Sequence, residues 1–203
     1  ARMANSGRTA YTGFRSGMVH TSGVKGSDFV VSVGGFSGVS VDDVDSFISL
    51  IREALPGVRF QVFDADRVAG WRHLFFAAVN AVEAFEGGRG ISRSLEVEAL
   101  LYASCRDQIS QAFEVVGVSE RTARVALLVF AESRLEAEGA FTDVSSVIGV
   151  PDDSVLEVSR GKWDELKTVF GVSDKELGAV RGPAEEALTK LIVERGALLP
   201  LRR

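Results

Sequence analysis

One cysteine and two histidines in 203 residues remove whole classes of chemistry from this chain. Cys105 alone cannot form an internal disulfide or an all-cysteine metal site, and a reducing, intracellular setting is the expectation. His20 and His73 stand far apart, so neither a His pair at helical spacing nor a C-x-x-C is present to hold a metal. No apolar run approaches the roughly 18–20 residues of a membrane helix. The N-terminus lacks the apolar core of a secretory signal, so none is expected. Lysine is scarce beside arginine, and the net charge of −5 leaves no surplus of cations to grip duplex nucleic acid. A short single-stranded end stays open as a ligand, because stacking supplies much of that affinity.

A phosphate loop is missing too. Gly34, Gly35 and Gly38 of VGGFSG follow a predicted strand but do not spell G-x-G-x-x-G, and no Lys-Ser/Thr follows. A plain turn is the simpler reading. The competing functional class is a small α/β enzyme that holds a nucleotide on the loop Gly34–Gly38. Cys105 has Arg106 beside it to lower its pKa, but no base other than His73 in the folded part. No catalytic residue, metal or cofactor is therefore expected.

What is present reads as one domain. Residues 1–27 are rich in Gly, Ser and Thr without an apolar period, and are read as a flexible lead. A basic, RNA-attracting arm is the functional alternative there. The folded part is expected from Asp28 to the end, residues 28–203. FVVSVGG (Phe29–Gly35) reads as a strand, Val41–Leu55 as a helix capped by Ser40 or Asp42, and VRFQVF (Val58–Phe63) as a second strand. Three helices follow: Val68–Glu86, then one capped by Ser92 or Ser94 and ending near Ser104, then about Arg106–Val116, stopped by Gly117. RVALLVF (Arg124–Phe130) is apolar almost without interruption and belongs at the centre of a sheet. A helix over about Glu132–Val147 precedes SVLEV (Ser154–Val158), read as a fourth strand. Helices near Lys162–Phe170, Asp174–Val180 and Pro183–Arg195, with Pro183 at the first helical position, complete the chain. The expected class is α/β: a single layered domain with a small mixed sheet of four to five strands, a three-helix insertion and C-terminal helices.

One cluster differs in kind from the rest. Tyr102, Ser104, Arg106 and Gln108 gather an aromatic face, a hydroxyl, a guanidinium and an amide at a helix junction, the kit that single-stranded RNA prefers. The helix N-terminus after Ser104 adds free N–H groups. Ordinary inter-helix bonds are the plainer reading of the same residues. A lone His73 among Leu74, Phe75 and Phe76 is likewise read first as a hydrogen-bonded core residue and second as a ligand contact.

The segments FDADRVAGWRHLFFAAVNAVEAF and SLEVEALLYASCRDQISQAFEVVGV resemble the small kinase-associated subunit of the KEOPS (EKC) complex, the PRPK-binding protein family. Asp64-Ala65, Val68 and His73-Leu74 stand where that family has D-A-x-x-V-x-x-x-x-H-L. Glu98, Leu100-Leu101-Tyr102, Ser104, Gln108-Ile109, Ala112 and Gly117 stand in its E-x-L-L-Y-x-S-G-x-R-Q-I-x-x-A and following glycine. PDDSVLEV and VERGALLPL resemble its D-D-x-V-L-E and closing E-R-x-A-L-L, so the likeness spans about Asp28 to Leu201. Two positions depart: the family glycine is Cys105, and its arginine position holds Asp107 with Arg106 beside it. A one-residue shift on a helix turns a side chain by about 100°.

The resemblance implies a non-catalytic subunit that docks on the complex's atypical small kinase/ATPase and binds the 3′ CCA end of tRNA. It thereby supports threonylcarbamoylation of the adenosine beside the anticodon, with the chemistry in another subunit. The expected RNA contacts are His73 and Tyr102 for stacking, Ser104 and Gln108 for phosphate or ribose, and Arg93 and Arg106 for charge. Leu188, Leu191, Ile192, Leu198 and Leu199 are the expected kinase-facing surface, with core packing of a terminal helix as the alternative. The expected location is the cytoplasm, or also the nucleus in a eukaryote.

Overall fold

The computed structural model describes residues 19–202. Its elements run β1 (Val19–Gly23), β2 (Val30–Ser37), α1 (Val44–Ala54), β3 (Arg59–Asp64), α2 (Trp71–Glu86), α3 (Leu95–Ser104), α4 (Ile109–Val116), β4 (Val125–Ala131), α5 (Arg134–Ile148), β5 (Val150–Pro151), α6 (Arg160–Phe170), α7 (Asp174–Ala179) and α8 (Ala184–Ala197). The α/β class, the three-helix insertion α2–α4 and the helical C-terminus match the sequence reading. The sheet runs β1-β2-β4-β3, with β5 also on β2. β2 and β3 run parallel to each other, as a β–α–β unit requires, but β4 inserts between them, so every ladder is antiparallel.

β4 is buried along its whole length because both faces of the sheet are covered. Val125, Leu127, Val129 and Ala131 pack under α1 and α5. Ala126, Leu128 and Phe130 pack under the larger layer that holds α2, α3, α6 and α8. Caps fix the helix starts. The Asp43 carboxylate, rather than Ser40 or Asp42, accepts from Ser46 N–H at 2.8 Å and opens α1. Ser94 opens α3, and Pro183 is the N-cap of α8 rather than its first residue.

Two expectations need correction. Residues 19–27 are not part of a flexible lead: β1 pairs antiparallel with β2 from Val19 opposite Gly34 to Gly23 opposite Val30. Its ties are polar, with Thr21 and Ser32 hydroxyls 2.7 Å apart and Arg134 donating to Thr21 O at 2.9 Å, so no apolar alternation announces it. The rest of the proposed lead, residues 1–18, lies outside the described residues. Nor is Ser154–Val158 a strand. Asp152 accepts from Ser154 N–H (3.2 Å) and Ser154 Oγ–H (2.6 Å) and winds Asp153–Leu156 into a 3-10 turn, leaving the two-residue β5 as the fifth strand.

Candidate functional site

The α3–α4 junction draws most of the motif residues together and then turns them inward. α3 ends on Cys105, which takes the left-handed conformation at φ 56°. Its N–H bonds to Tyr102 O at 3.2 Å, and Arg106 N–H bonds to Leu101 O at 3.2 Å. That is the glycine-type helix stop, and it falls where the resembled family has its glycine. Ser104 is buried; its hydroxyl donates to Leu101 O (3.0 Å) and accepts from Arg106 N–H (3.2 Å). Tyr102 is buried as well, on the side where α8 passes. A Cβ on Gly196 would sit 2.6 Å from Tyr102 O, so only glycine permits this approach.

His73 is buried beneath the same junction. Its Nδ1 accepts from Ala69 N–H at 3.2 Å, which leaves Nε2 to donate to Ala103 O at 2.8 Å. Its ring meets Phe170 edge-on at 5.4 Å. Loss of solvation pushes its pKa down to about 4, against the smaller upward pull of the Ala103 carbonyl, so the ring is neutral near pH 7.

The expected RNA kit is therefore divided. His73, Tyr102 and Ser104 are buried, so in this structure none of them presents an open face to a ligand. Arg106 is half-buried and donates to Ser104 O (3.4 Å), Cys105 O (3.3 Å) and Val169 O (3.2 Å). Gln108 is exposed, with its amide oxygen accepting from Gln111 at 3.0 Å. Arg93 is exposed at the other end of α3, a helix length of about 15 Å away. The kinase-facing set is corrected in the same way: Leu188, Leu191, Ile192 and Leu199 are core, and Leu198 alone of the five is exposed. The Gly34–Gly38 loop is no phosphate cradle either. Gly34 and Gly35 lie inside β2, where a Cβ on Gly35 would stand 2.5 Å from Asp152 O.

Other polar groups have structural work that the sequence did not announce. The buried Glu98 carboxylate accepts from Ile91 N–H (3.0 Å) and Ser92 N–H (2.6 Å) and pins the α2–α3 loop. Lys162 is buried and its ammonium donates to Ala65 O (2.6 Å) and Val155 O. Desolvation brings its pKa down to about 8, with the nearby Asp66 carboxylate opposing the shift.

The open surface lies elsewhere. β3 is one edge of the sheet, opposite β1. Ala65 N–H bonds to Arg124 O, so counting back in twos Phe63, Gln61 and Arg59 face β4, while Phe60 and Val62 turn their backbone groups outward. A groove of about 800 Å³ follows this edge, walled by Ile48, Phe60, Val62, Val97, Phe113 and Val118. On α4, Ile109 and Phe113 are four residues apart on one side and 47% and 48% exposed. A second cleft, of about 610 Å³, opens between the starts of α2 and α8 beside Trp71.

Among the described residues no group of three or more His, Cys, Asp or Glu side chains is placed to hold a metal ion. Buried polar groups serve the frame, while the β3 edge and its groove are open, in a protein of α/β class. Comparison with known proteins makes this specific. The family model for kinase binding protein CGI-121 matches residues 40–199, and the chain belongs to that family. It is also similar to the regulatory protein Cgi121 of Methanocaldococcus jannaschii, 29% identical over 117 residues that cover 57% of this chain and 72% of that protein.

Proposed function

We propose that this chain is a non-catalytic subunit of a KEOPS-type assembly in the cytoplasm. In that role it docks on the small atypical kinase/ATPase and engages the 3′ CCA end of tRNA for threonylcarbamoylation of the adenosine next to the anticodon. The observation that carries the kinase half is membership of a kinase-binding family across residues 40–199. The docking surface is the apolar ridge Ile109–Phe113 with the groove along β3, which offers large exposed side chains beside unpaired backbone. The tRNA half rests on the resemblance, and its contacts narrow to the side chains that reach solvent: Arg93, Gln108 and, in part, Arg106.

Two measurements test the two halves apart. Calorimetric titration with the purified kinase subunit is expected to show binding that Ile109→Glu with Phe113→Glu abolishes, and an unchanged affinity in that variant removes the ridge from the interface. Binding to full-length tRNA and to the same tRNA lacking its CCA, at one stated near-physiological salt, addresses the RNA. Equal affinity for both, or none for either, removes end recognition by the isolated chain and leaves kinase docking as its role.

A further inference from the structure

The two margins of the sheet are finished differently. β1 is short, and the Arg134 guanidinium donates to its Thr21 O at 2.9 Å. β3 has no such cover. Its ladder to β4 runs without a bulge from Arg59 opposite Phe130 to Asp64 opposite Val125, and RFQVFD holds no proline or lysine. The outward N–H and C=O groups of Phe60 and Val62 make no hydrogen bond to other described residues. Its charges, Arg59 and Asp64, stand only at its ends. An edge this regular is a template for another strand.

The charges of the groove select the strand. Asp45 and Arg52 both line it from α1. Both are exposed, and neither makes an ion pair or side-chain hydrogen bond with other described residues. They are opposite in sign and seven residues apart, two turns along one side of the helix, with one near each end of it. A twofold axis through Gln61, normal to the sheet, brings a second copy into register. β3 then pairs antiparallel with its own image, Phe60 opposite Val62 of the second copy, and four N–H···O=C bonds satisfy all the outward groups at once. The same rotation reverses α1, so Asp45 faces Arg52 of the second copy and Arg52 faces its Asp45. The joining also covers the groove's apolar walls, Ile48 and Phe113 among them.

We propose that the β3 edge and its groove are a self-association surface. Two copies of this chain join β3 to β3 in one continuous antiparallel sheet, with Asp45 and Arg52 paired across the twofold axis. The inference depends on neither the kinase nor the tRNA reading. It adds a constraint to the first, because a joined pair hides the groove and the kinase docks only on the separated chain.

The test is sedimentation equilibrium of the full chain at low salt over rising concentration, where the mass is expected to move from one chain to two. Asp45→Lys sets like charges together twice across the axis and is expected to weaken pairing about tenfold, the scale of two exposed ion pairs. Arg52→Glu is expected to do the same. An equimolar mixture of the two variants is expected to regain the parent affinity, because each contact across the axis then joins opposite charges. Hydrogen exchange reads the backbone: the Phe60 and Val62 amides should be protected in the pair and exchange freely on dilution. A single-chain mass up to the solubility limit overturns the proposal and leaves the edge to an outside partner. A dimer that ignores the reversals, a mixture that regains nothing, or freely exchanging Phe60 and Val62 amides in the pair overturns it equally.

Discussion

α3 and α4 are neighbours in sequence, both rich in apolar residues and both part of the motif that carries the family likeness, yet they are opposites in space. Eight of the ten residues of α3 are buried, Glu98, Tyr102 and Ser104 among them. α4 buries Ala112 and Val116 out of eight. The contrast teaches that a dense motif can mark a frame as readily as a contact surface. α3 is held between α2 and α8 under the sheet, and its polar residues are spent on loops and helix ends. α4 lies at the margin, and its large apolar side chains face outward.

The contrast breaks most severely where α8 touches α3. Gly196→Ala places a methyl 2.6 Å from Tyr102 O and is expected to cost about 3 kcal/mol, the upper range for overpacking, read from urea unfolding. Close behind comes His73. His73→Ala leaves Ala69 N–H and Ala103 O unpaired and opens a cavity, for about 2–3 kcal/mol. The same residue sets an acid limit. Its folded pKa, about 4, lies below the ordinary 6.5, so the unfolded chain binds the extra proton first. Stability from this group is complete above pH 6.5 and lost as pH falls from 6.5 to 4, by about 3 kcal/mol in all. Unfolding curves across that window should lose this slope in a His73→Leu chain.

Ile109→Glu with Phe113→Glu should shift stability by only about 0.5 kcal/mol, since both side chains already meet water. A large loss of stability would place α4 in the frame with α3 and erase the comparison. Comparably small is the effect of Cys105→Gly. Release of left-handed strain and loss of a buried thiol, whose Sγ donates to Ile192 O at 3.6 Å, nearly offset, so a change under about 1 kcal/mol is expected. Cys105→Val, β-branched in the same conformation, should cost more than twice as much.

Elements with a strong period were legible in the sequence: α1, α2, α5 and the buried β4 stand within a few residues of their predicted bounds. β1 escaped because an edge strand tied by hydroxyls has no apolar rhythm, and Val155-Leu156 misled because two adjacent buried residues in a turn imitate part of a strand. The site was harder for a plain reason. α3 is apolar on all sides, so nothing in its sequence says which side faces out, and Tyr102 on paper looks as available as Gln108. Trp71 and His20 gave no sign of their stack, being 51 positions apart with the pairing made by β1.

Lys162 has a consequence in time rather than in energy. Its bond to Ala65 O joins residues 97 apart in the chain, across the whole three-helix insertion and β4. Closing so long a loop becomes favourable only after the intervening elements have condensed. The ammonium is thus expected to fasten late, after the rate-limiting step of folding. A Lys162→Met chain should fold at nearly the parent rate and unfold faster, a chevron moved on one arm only.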